Sequence, residues 1–275
     1  MNPTLLFKGG FMAEMNTKIA ELMKQSARRD AEQNELKEVE YQKKIVAMSN
    51  QFVTAAKHLN IHQKRLIFMA ISDMFSTANN NNPLRRIYVN DYINTFTQVS
   101  AKNAYRDMKK AVKGLATNAW TVRLDDGEFR YIPWLVDGGY KSKEGWAEIE
   151  FNPKTMIHLQ NLSRDFTRYK LDFAEHIETA LAWDFLDLLI KAADSQCTKE
   201  NLTGRLFIKY QDLRDALSVK DSYNAGMFKK RFLDKAIEEV SRVCNLDIVV
   251  EEVKKRNKIE SYKIYFAPSQ QLPLI

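Results

Sequence analysis

Cysteine is almost missing: Cys197 and Cys244 are the two in a chain of 275 residues. Two thiols cannot make a disulfide framework, nor a structural zinc site by themselves, so a reducing, cytoplasmic setting is expected. Long apolar runs are missing too. The longest, residues 66–71, is far short of the ~20 residues a membrane-spanning helix needs. The first residues lack a basic stretch leading into an apolar core and a small-residue cleavage site, so export by that route is not expected. No glycine-rich phosphate loop is present. Gly138-Gly139-Tyr140-Lys141-Ser142 has the letters but not the first glycine at the required spacing. His58 and His62 stand four apart, yet no Glu follows His58 as in a zinc protease and no third ligand is evident. No His-x-His pair accompanies the tyrosines, as a metal-dependent nicking enzyme would want. The reading is therefore a non-enzyme with no catalytic residue, no metal ligand and no cofactor.

What is present is core material and positive charge. Hydrophobic residues make up 45% and aromatics 11%, enough for real cores; the length suits about two domains. The net charge of +7 and pI near 9.2 make an anionic partner plausible.

Residues 1–44 differ from the rest. Met15, Ile19, Leu22 and Met23 recur at helical spacing, then the apolar stripe gives out, so this extension reads as an amphipathic helix running into a flexible polar tether. From Tyr41 the chain is globular. Asn60 followed by Gln63 is a capping box, and residues 66–75 behind it are apolar on nearly every face, which predicts a buried helix. Residues 79–82 before Pro83 form a loop, and residues 85–89 a short strand. Asn90 and Asp91 start a helix through Phe96; Ser100 caps another over 101–117. Three strands follow at 120–124, 129–136 and 146–151, with turns at Asp126-Gly127 and Gly138-Gly139.

That order is a winged helix-turn-helix, and it recurs about 120 residues later. A long helix spans 174–193, a strand 205–209 follows Gly204, and a helix covers 211–217. A turn over 219–223 leads into a helix over 224–243. Two strands, 246–252 and 262–266, close the unit around a tip of Lys254, Lys255, Arg256, Asn257 and Lys258. The expected fold is α+β: two tandem winged helix-turn-helix domains, 45–165 and 166–268, with the N-terminal extension 1–44 and a tail 269–275.

The positive functional signal lies in the second helix of each unit. In the helix opening at Asn224, the stripe Phe228, Phe232, Leu233, Ala236, Val240 and Val243 marks the inward side. Tyr223, Met227, Lys230 and Arg231 fall opposite, near its start, with Asp234 and Glu238 further along. A face basic at its N-terminal end and acidic beyond suits a helix whose first turns enter the major groove. Arginine pairs bidentately with guanine, lysine reaches a guanine edge or a phosphate, and a helix N-terminus favours phosphate itself. The tip residues Lys254, Lys255, Arg256 and Lys258 sit where a wing touches the sugar-phosphate backbone, and Tyr223, Asn224, Lys229, Lys230 and Arg231 complete this candidate surface. In the first unit Tyr105, Met108, Val112, Leu115 and Ala119 form the expected buried stripe. Lys102, Arg106, Lys109, Lys110 and Lys113 lie outside it, an almost purely basic face that reads as phosphate-binding.

These residues resemble the replication initiators of iteron-containing, theta-replicating plasmids, over residues 44–266. The resemblance rests on the order of several pieces. They are Met48-Ser49-Asn50-Gln51-Phe52-Val53-Thr54-Ala55-Ala56, Gln63-Lys64-Arg65-Leu66-Ile67 and Phe166-Thr167-Arg168-Tyr169-Lys170-Leu171. Phe228-Lys229-Lys230-Arg231-Phe232-Leu233-Asp234-Lys235-Ala236-Ile237 and then Leu246-Asp247-Ile248 complete the set. It implies that the second domain reads each direct repeat at the origin while the first contacts backbone and forms a homodimer. Monomers would initiate replication and dimers would repress the initiator's own gene, in a bacterial cytoplasm. Host replication proteins, among them initiator, helicase and sliding clamp, are the further partners implied. One departure is visible: the family usually has an Arg-Leu-Tyr run near Trp183-Asp184-Phe185-Leu186, and here Asp184 takes the arginine position, which counts against a phosphate contact from this helix.

A dimeric winged-helix transcription repressor is the alternative reading, since fold alone does not separate the two. Direct repeats beside the gene favour initiation; a lone inverted repeat favours repression. Finally, Gln271-Leu272-Pro273-Leu274-Ile275 resembles the short peptide by which bacterial proteins dock on the sliding clamp. Gln271 would hydrogen-bond at a groove mouth, Leu272, Leu274 and Ile275 would supply the apolar contacts, and Pro273 would lower the entropy lost on ordering. The other reading is a tail folded back on the second domain.

Overall fold

The computed structural model describes residues 45–76, 81–123, 127–160, 166–193 and 201–269. The expected N-terminal helix and the clamp-like pentapeptide lie outside these residues. Strand β1 (Ile45–Ser49) leads into α1 (Asn50–Ala56), capped by the Ser49 hydroxyl, which accepts from Phe52 N. Helix α2 (Ile61–Ser76) starts at the expected capping box: Asn60 N donates to Gln63 Oε1 at 3.0 Å and Gln63 N donates to Asn60 Oδ1 at 3.1 Å. It is buried nearly all round, and its buried length includes Lys64 and Arg65.

The first winged helix continues with β2 (Leu84–Tyr88), α3 (Val89–Thr95) and α4 (Ala101–Thr117), the last capped by Ser100 as expected. Helix α3 begins ahead of Asn90 and has no side-chain cap; Tyr88 at the cap position is extended. The strand expected over 129–136 is two strands, β4 (Phe129–Pro133) and β5 (Leu135–Lys141), broken at the buried Trp134. β4 forms a hairpin with β3 (Ala119–Arg123), with Gly127 in positive φ in its connection, while β5 joins β6 (Trp146–Phe151) and β2 in a separate sheet of order β2-β6-β5. Gly138-Gly139 is not a turn. It is a stretch of β5 paired to Ile149 and Glu148, and the reason is packing: a Cβ on Gly138 would stand 3.1 Å from Val112 of α4. The turn falls instead at residues 142–145, where Gly145 takes φ +67. At the heart of this unit Trp120 stacks on Trp134 with centroids 5.7 Å apart, and Phe52 meets Trp134 edge to face at 5.2 Å.

After α5 (Pro153–Met156), strand β7 (Phe166–Lys170) returns to pair antiparallel with β1. The helix expected from residue 174 begins later, as α6 (Ala180–Lys191). Residues 171–173 form a 3-10 turn, and Thr179 caps α6, its hydroxyl accepting from Ala182 N at 3.1 Å. Glu239 fixes that start, its carboxylate accepting from Glu178 N and from both Thr179 N and its hydroxyl. Then come β8 (Gly204–Lys209), α7 (Tyr210–Ala216) and a continuous helix, here α8, made of Ala225–Phe228, a π-helical turn Lys229–Leu233, and Asp234–Cys244. Strands β9 (Leu246–Lys255) and β10 (Lys258–Pro268) complete a sheet of order β8-β10-β9, three residues longer at the tip than expected on the β9 side. Arg256 and Asn257 both take positive φ at that tip, the two-residue turn whose twist matches antiparallel strands. Among the described residues, no helix is long and apolar enough to cross a membrane.

A buried polar cluster ties α2 to α6 and to the segment ahead of it. Lys64 Nζ lies 2.8 Å from Asp184 Oδ1, with both side chains almost wholly out of solvent. Arg65 donates to Ile177 O at 2.8 Å, and Lys57 donates to Asp215 O at 2.9 Å. Asp184, conspicuous in the sequence as an acid in place of an arginine, is thus the counterion of a lysine in α2.

Candidate nucleic-acid interface

The second-domain surface is built from the turn outward. Arg214 of α7 is 4% exposed. Its guanidinium donates to Tyr210 Oη at 2.7 Å, to Tyr223 O at 2.6 Å and to Lys220 O. One buried side chain thereby ties down the turn that sets the angle between α7 and α8. Asn224 opens α8, its Oδ1 accepting from Met227 N at 2.9 Å, so the amide oxygen is committed to the cap. Tyr223 does not lie opposite Phe232: the rings pack edge to face at 4.9 Å. The helical wheel fails there because residue 223 precedes the cap, and its side-chain direction is not set by helical phase.

From that start, Lys230 and Arg231 are exposed, as are Asp234 and Glu238 further along, while Phe228, Leu233, Ala236 and Val240 are buried. Phe228 and Leu233 are five apart, the spacing of the π turn, and this turn carries both cations. Lys229 is half-buried and reaches across to the wing, 2.8 Å from Glu252 Oε1 on β9. Lys254 lies 3.2 Å from the other oxygen of Glu252. Hydrogen bonds from these two lysines hold the Glu252 carboxyl below its usual range, and the same bond holds Lys229 above its own. Lys255 pairs loosely with Glu260 at 3.5 Å. Arg256 and Lys258 are exposed at the tip, at the rim of a hollow lined also by Lys255, Ile259 and Glu260.

In the first domain all five candidate cations of α4, Lys102, Arg106, Lys109, Lys110 and Lys113, are exposed. Arg106 shares one oxygen of the buried Asp107 at 2.9 Å, and His62 faces the other at 3.7 Å. Met108, Val112 and Leu115 of the expected stripe are buried, and the buried face is broadened by Ala104, Asp107 and Ala111. Tyr105 is 42% exposed and Ala119 lies out in β3. Small residues explain the difference: Ala104 and Ala111 let α4 approach closely, and at Gly114 a Cβ would collide with Gln63 Nε2. Among the described residues no group of three or more His, Cys, Asp or Glu could hold a metal ion.

Sequence reasoning missed Glu252 and Arg214. Glu252 acts through a lysine 23 positions away, and nothing in local spacing marks a glutamate on a strand as the counterion of a helix lysine. The partners of Arg214 lie within nine residues of it, but two of them are backbone carbonyls, which carry no residue-type signal.

Residues 45–190 match the family model described as Initiator Replication protein, WH1, and residues 209–266 match Initiator Rep protein, WH2. An uncharacterized 27.6 kDa protein of Escherichia coli is 27% identical over 214 residues, covering 72% of this chain and 86% of that one. Among solved structures, the Pi initiator protein in complex with iteron DNA superposes with a TM-score of 0.69 at 18% identity, over 84% of this chain and 99% of that chain. The WH1 domain of MSBI1.176, a replication protein isolated from a multiple sclerosis patient, is 26% identical and covers 44% of this chain and 95% of that one, with a TM-score of 0.34. The likeness to Pi shows a shared fold, and the two family matches together span most of the described residues. The chain belongs to the family of plasmid replication initiators, DNA-binding proteins built from a WH1 and a WH2 winged-helix domain.

Proposed function

We propose that this chain binds direct repeats at a plasmid origin and promotes opening of the neighbouring duplex by binding energy and DNA deformation, without covalent chemistry. The observation that carries the reading is the repetition: each winged helix presents the exposed, basic outer side of its second helix. In the second domain, 166–268, Lys230 and Arg231 read base edges in the major groove. Tyr223 and Asn224 set how the helix enters, and Lys255, Arg256 and Lys258 at the wing tip face the backbone. In the first domain, 45–165, Lys102, Arg106, Lys109, Lys110 and Lys113 contact phosphates. Flexible A·T-rich steps beside the repeats lower the cost of distortion. A homodimer formed through the first domain represses the initiator's own gene, and host initiator, helicase and clamp complete the assembly in the bacterial cytoplasm.

Footprinting on DNA flanking the gene, at stated salt, tests this. Protection of several direct repeats is the expected result. Protection of a single inverted repeat alone would make the protein a repressor, and a cut strand would make it a nicking enzyme.

A further inference from the structure

Glu252 is the one carboxylate that bridges the recognition helix and the wing among the described residues. It stands on β9 opposite Tyr262 of β10. Its oxygens take Lys229 of the π turn at 2.8 Å and Lys254 of the wing at 3.2 Å. Its own side chain is 20% exposed, against 45% and 57% for the two lysines. Asp234 on the helix also acts on Lys229. An acid here is unexpected on electrostatic grounds, because a surface meant for phosphate is weakened by every negative charge in it.

The physical consequence concerns the two kinds of DNA contact. Lysines on phosphate strengthen binding to every sequence alike, and each neutralised phosphate steepens the salt dependence by about 0.9. Base-edge contacts strengthen binding to one sequence. Lys229 precedes the base-reading pair in the same turn, Lys254 stands on the wing, and both would, if released, add to the first kind. We propose that Glu252 is a specificity-determining residue: it withholds Lys229 and Lys254 from the phosphate backbone and braces α8 against the wing. Discrimination between repeat and random DNA then falls to Lys230 and Arg231. This rests on the DNA interface proposed above.

The test uses the full chain and two duplexes of equal length, one carrying the footprinted repeat and one scrambled, titrated across about 50–200 mM salt. Glu252→Gln keeps the shape and removes the charge. Release of two lysines should tighten scrambled-DNA binding about tenfold near physiological salt and steepen its log–log salt slope by about 1 to 2. The repeat-to-scrambled ratio should fall. Scrambled-DNA affinity and slope unchanged, or weakened, would overturn the proposal. Lys229→Gln is the companion variant, with Glu252 intact. Its scrambled-DNA slope should stay the same, because Lys229 does not reach phosphate; a slope shallower by about 1 would overturn the proposal. Arg231→Ala on the same duplexes separates this idea from the one beneath it. If Arg231→Ala costs repeat binding while Glu252→Gln is silent, the interface stands and Glu252 has no such role. If Arg231→Ala is silent as well, the interface itself is misplaced and the proposal falls with it.

Discussion

Asp187 gives the protein an unusual pH signature, and Asp187→Asn isolates it. The side chain lies on α6 and is 2% exposed. Burial drives its carboxyl from 3.8 up to about 7; Lys64 and the Tyr169 hydroxyl pull it back, and neighbouring Asp184 pushes it further up. Asp184 itself is raised to about 6 by burial, with Lys64 opposing. Between pH 4 and 7 the folded chain therefore holds a proton at Asp187 that the unfolded chain has released. Stability from this group is fully present near pH 4 and is lost as pH rises through about 7. The interval from 3.8 to about 7, at about 1.4 kcal/mol per pH decade, corresponds to about 4 kcal/mol. Three histidines work the other way: burial lowers His58, His62 and His158, so acid takes stability from them. Comparing variant with parent at each pH cancels the histidines. Urea unfolding at pH 8 should show Asp187→Asn more stable by about 1–3 kcal/mol. The gain is less than the full figure because a buried amide still loses hydration and Lys64 loses a nearby negative charge. At pH 4.5 about 3 kcal/mol of that pH-dependent difference has gone, so Asp187→Asn should be level with the parent or less stable by up to about 2 kcal/mol. An equal difference at both pH values, or a loss of stability confined to pH 8, would refute the reasoning.

Arg231→Ala should cost about 1–3 kcal/mol on the repeat and relax sequence preference, whereas Lys255→Ala should weaken repeat and random DNA alike and make the salt slope shallower by about 1. Competition binding against scrambled duplex measures both, and equal loss of specificity in the two would show helix and wing to be wrongly assigned. Alanine at both Lys109 and Lys110 should leave the footprinted bases unchanged, with weaker affinity and a shallower salt dependence; a new base preference would contradict a phosphate role for α4. Deleting residues 271–275 should abolish binding to the sliding clamp in a pull-down while leaving repeat affinity and thermal stability as they were. A drop in melting temperature would instead point to a tail folded on the second domain.

Much of the fold was legible because its signals are local. Asn60 with Gln63, Ser100 and Asn224 are caps, and each helix begins where its cap stands. The strands flanking the wing are plain, since their polar tip of Lys254 to Lys258 interrupts apolar alternation. What was illegible is set by neighbours far away in sequence. Gly138-Gly139 carries a turn signature, yet the need to pass under Val112 places it inside a strand. Helix α6 starts at residue 180 rather than 174, where Thr179 caps it and the Glu239 carboxylate holds the amides of Glu178 and Thr179 just ahead of it. In α4 the buried face takes in Ala104 and Ala111 and leaves out Tyr105, because alanines, which look neutral in an apolar count, permit the closest approach. At the candidate interface the exposed cations of both helices were readable from periodicity. The pairing of Lys229 with Glu252 was not, because it spans 23 positions and joins a helix to a strand.

The antiparallel pairing of β1 with β7 has a kinetic side. Ser49 meets Phe166 at one end of that ladder, so everything between them is a loop of more than a hundred residues. Closing such a loop costs about 4 kcal/mol in chain entropy, and the ladder returns stability only after both ends have been delivered by structure formed elsewhere. Such a contact is expected to form late, so weakening it should speed unfolding more than it slows folding, which a chevron plot of Tyr169→Ala would show. On that expectation the ladder is a clasp that closes residues 50–165 between its two strands, adding little to how fast the protein reaches its native state and much to how long it stays there.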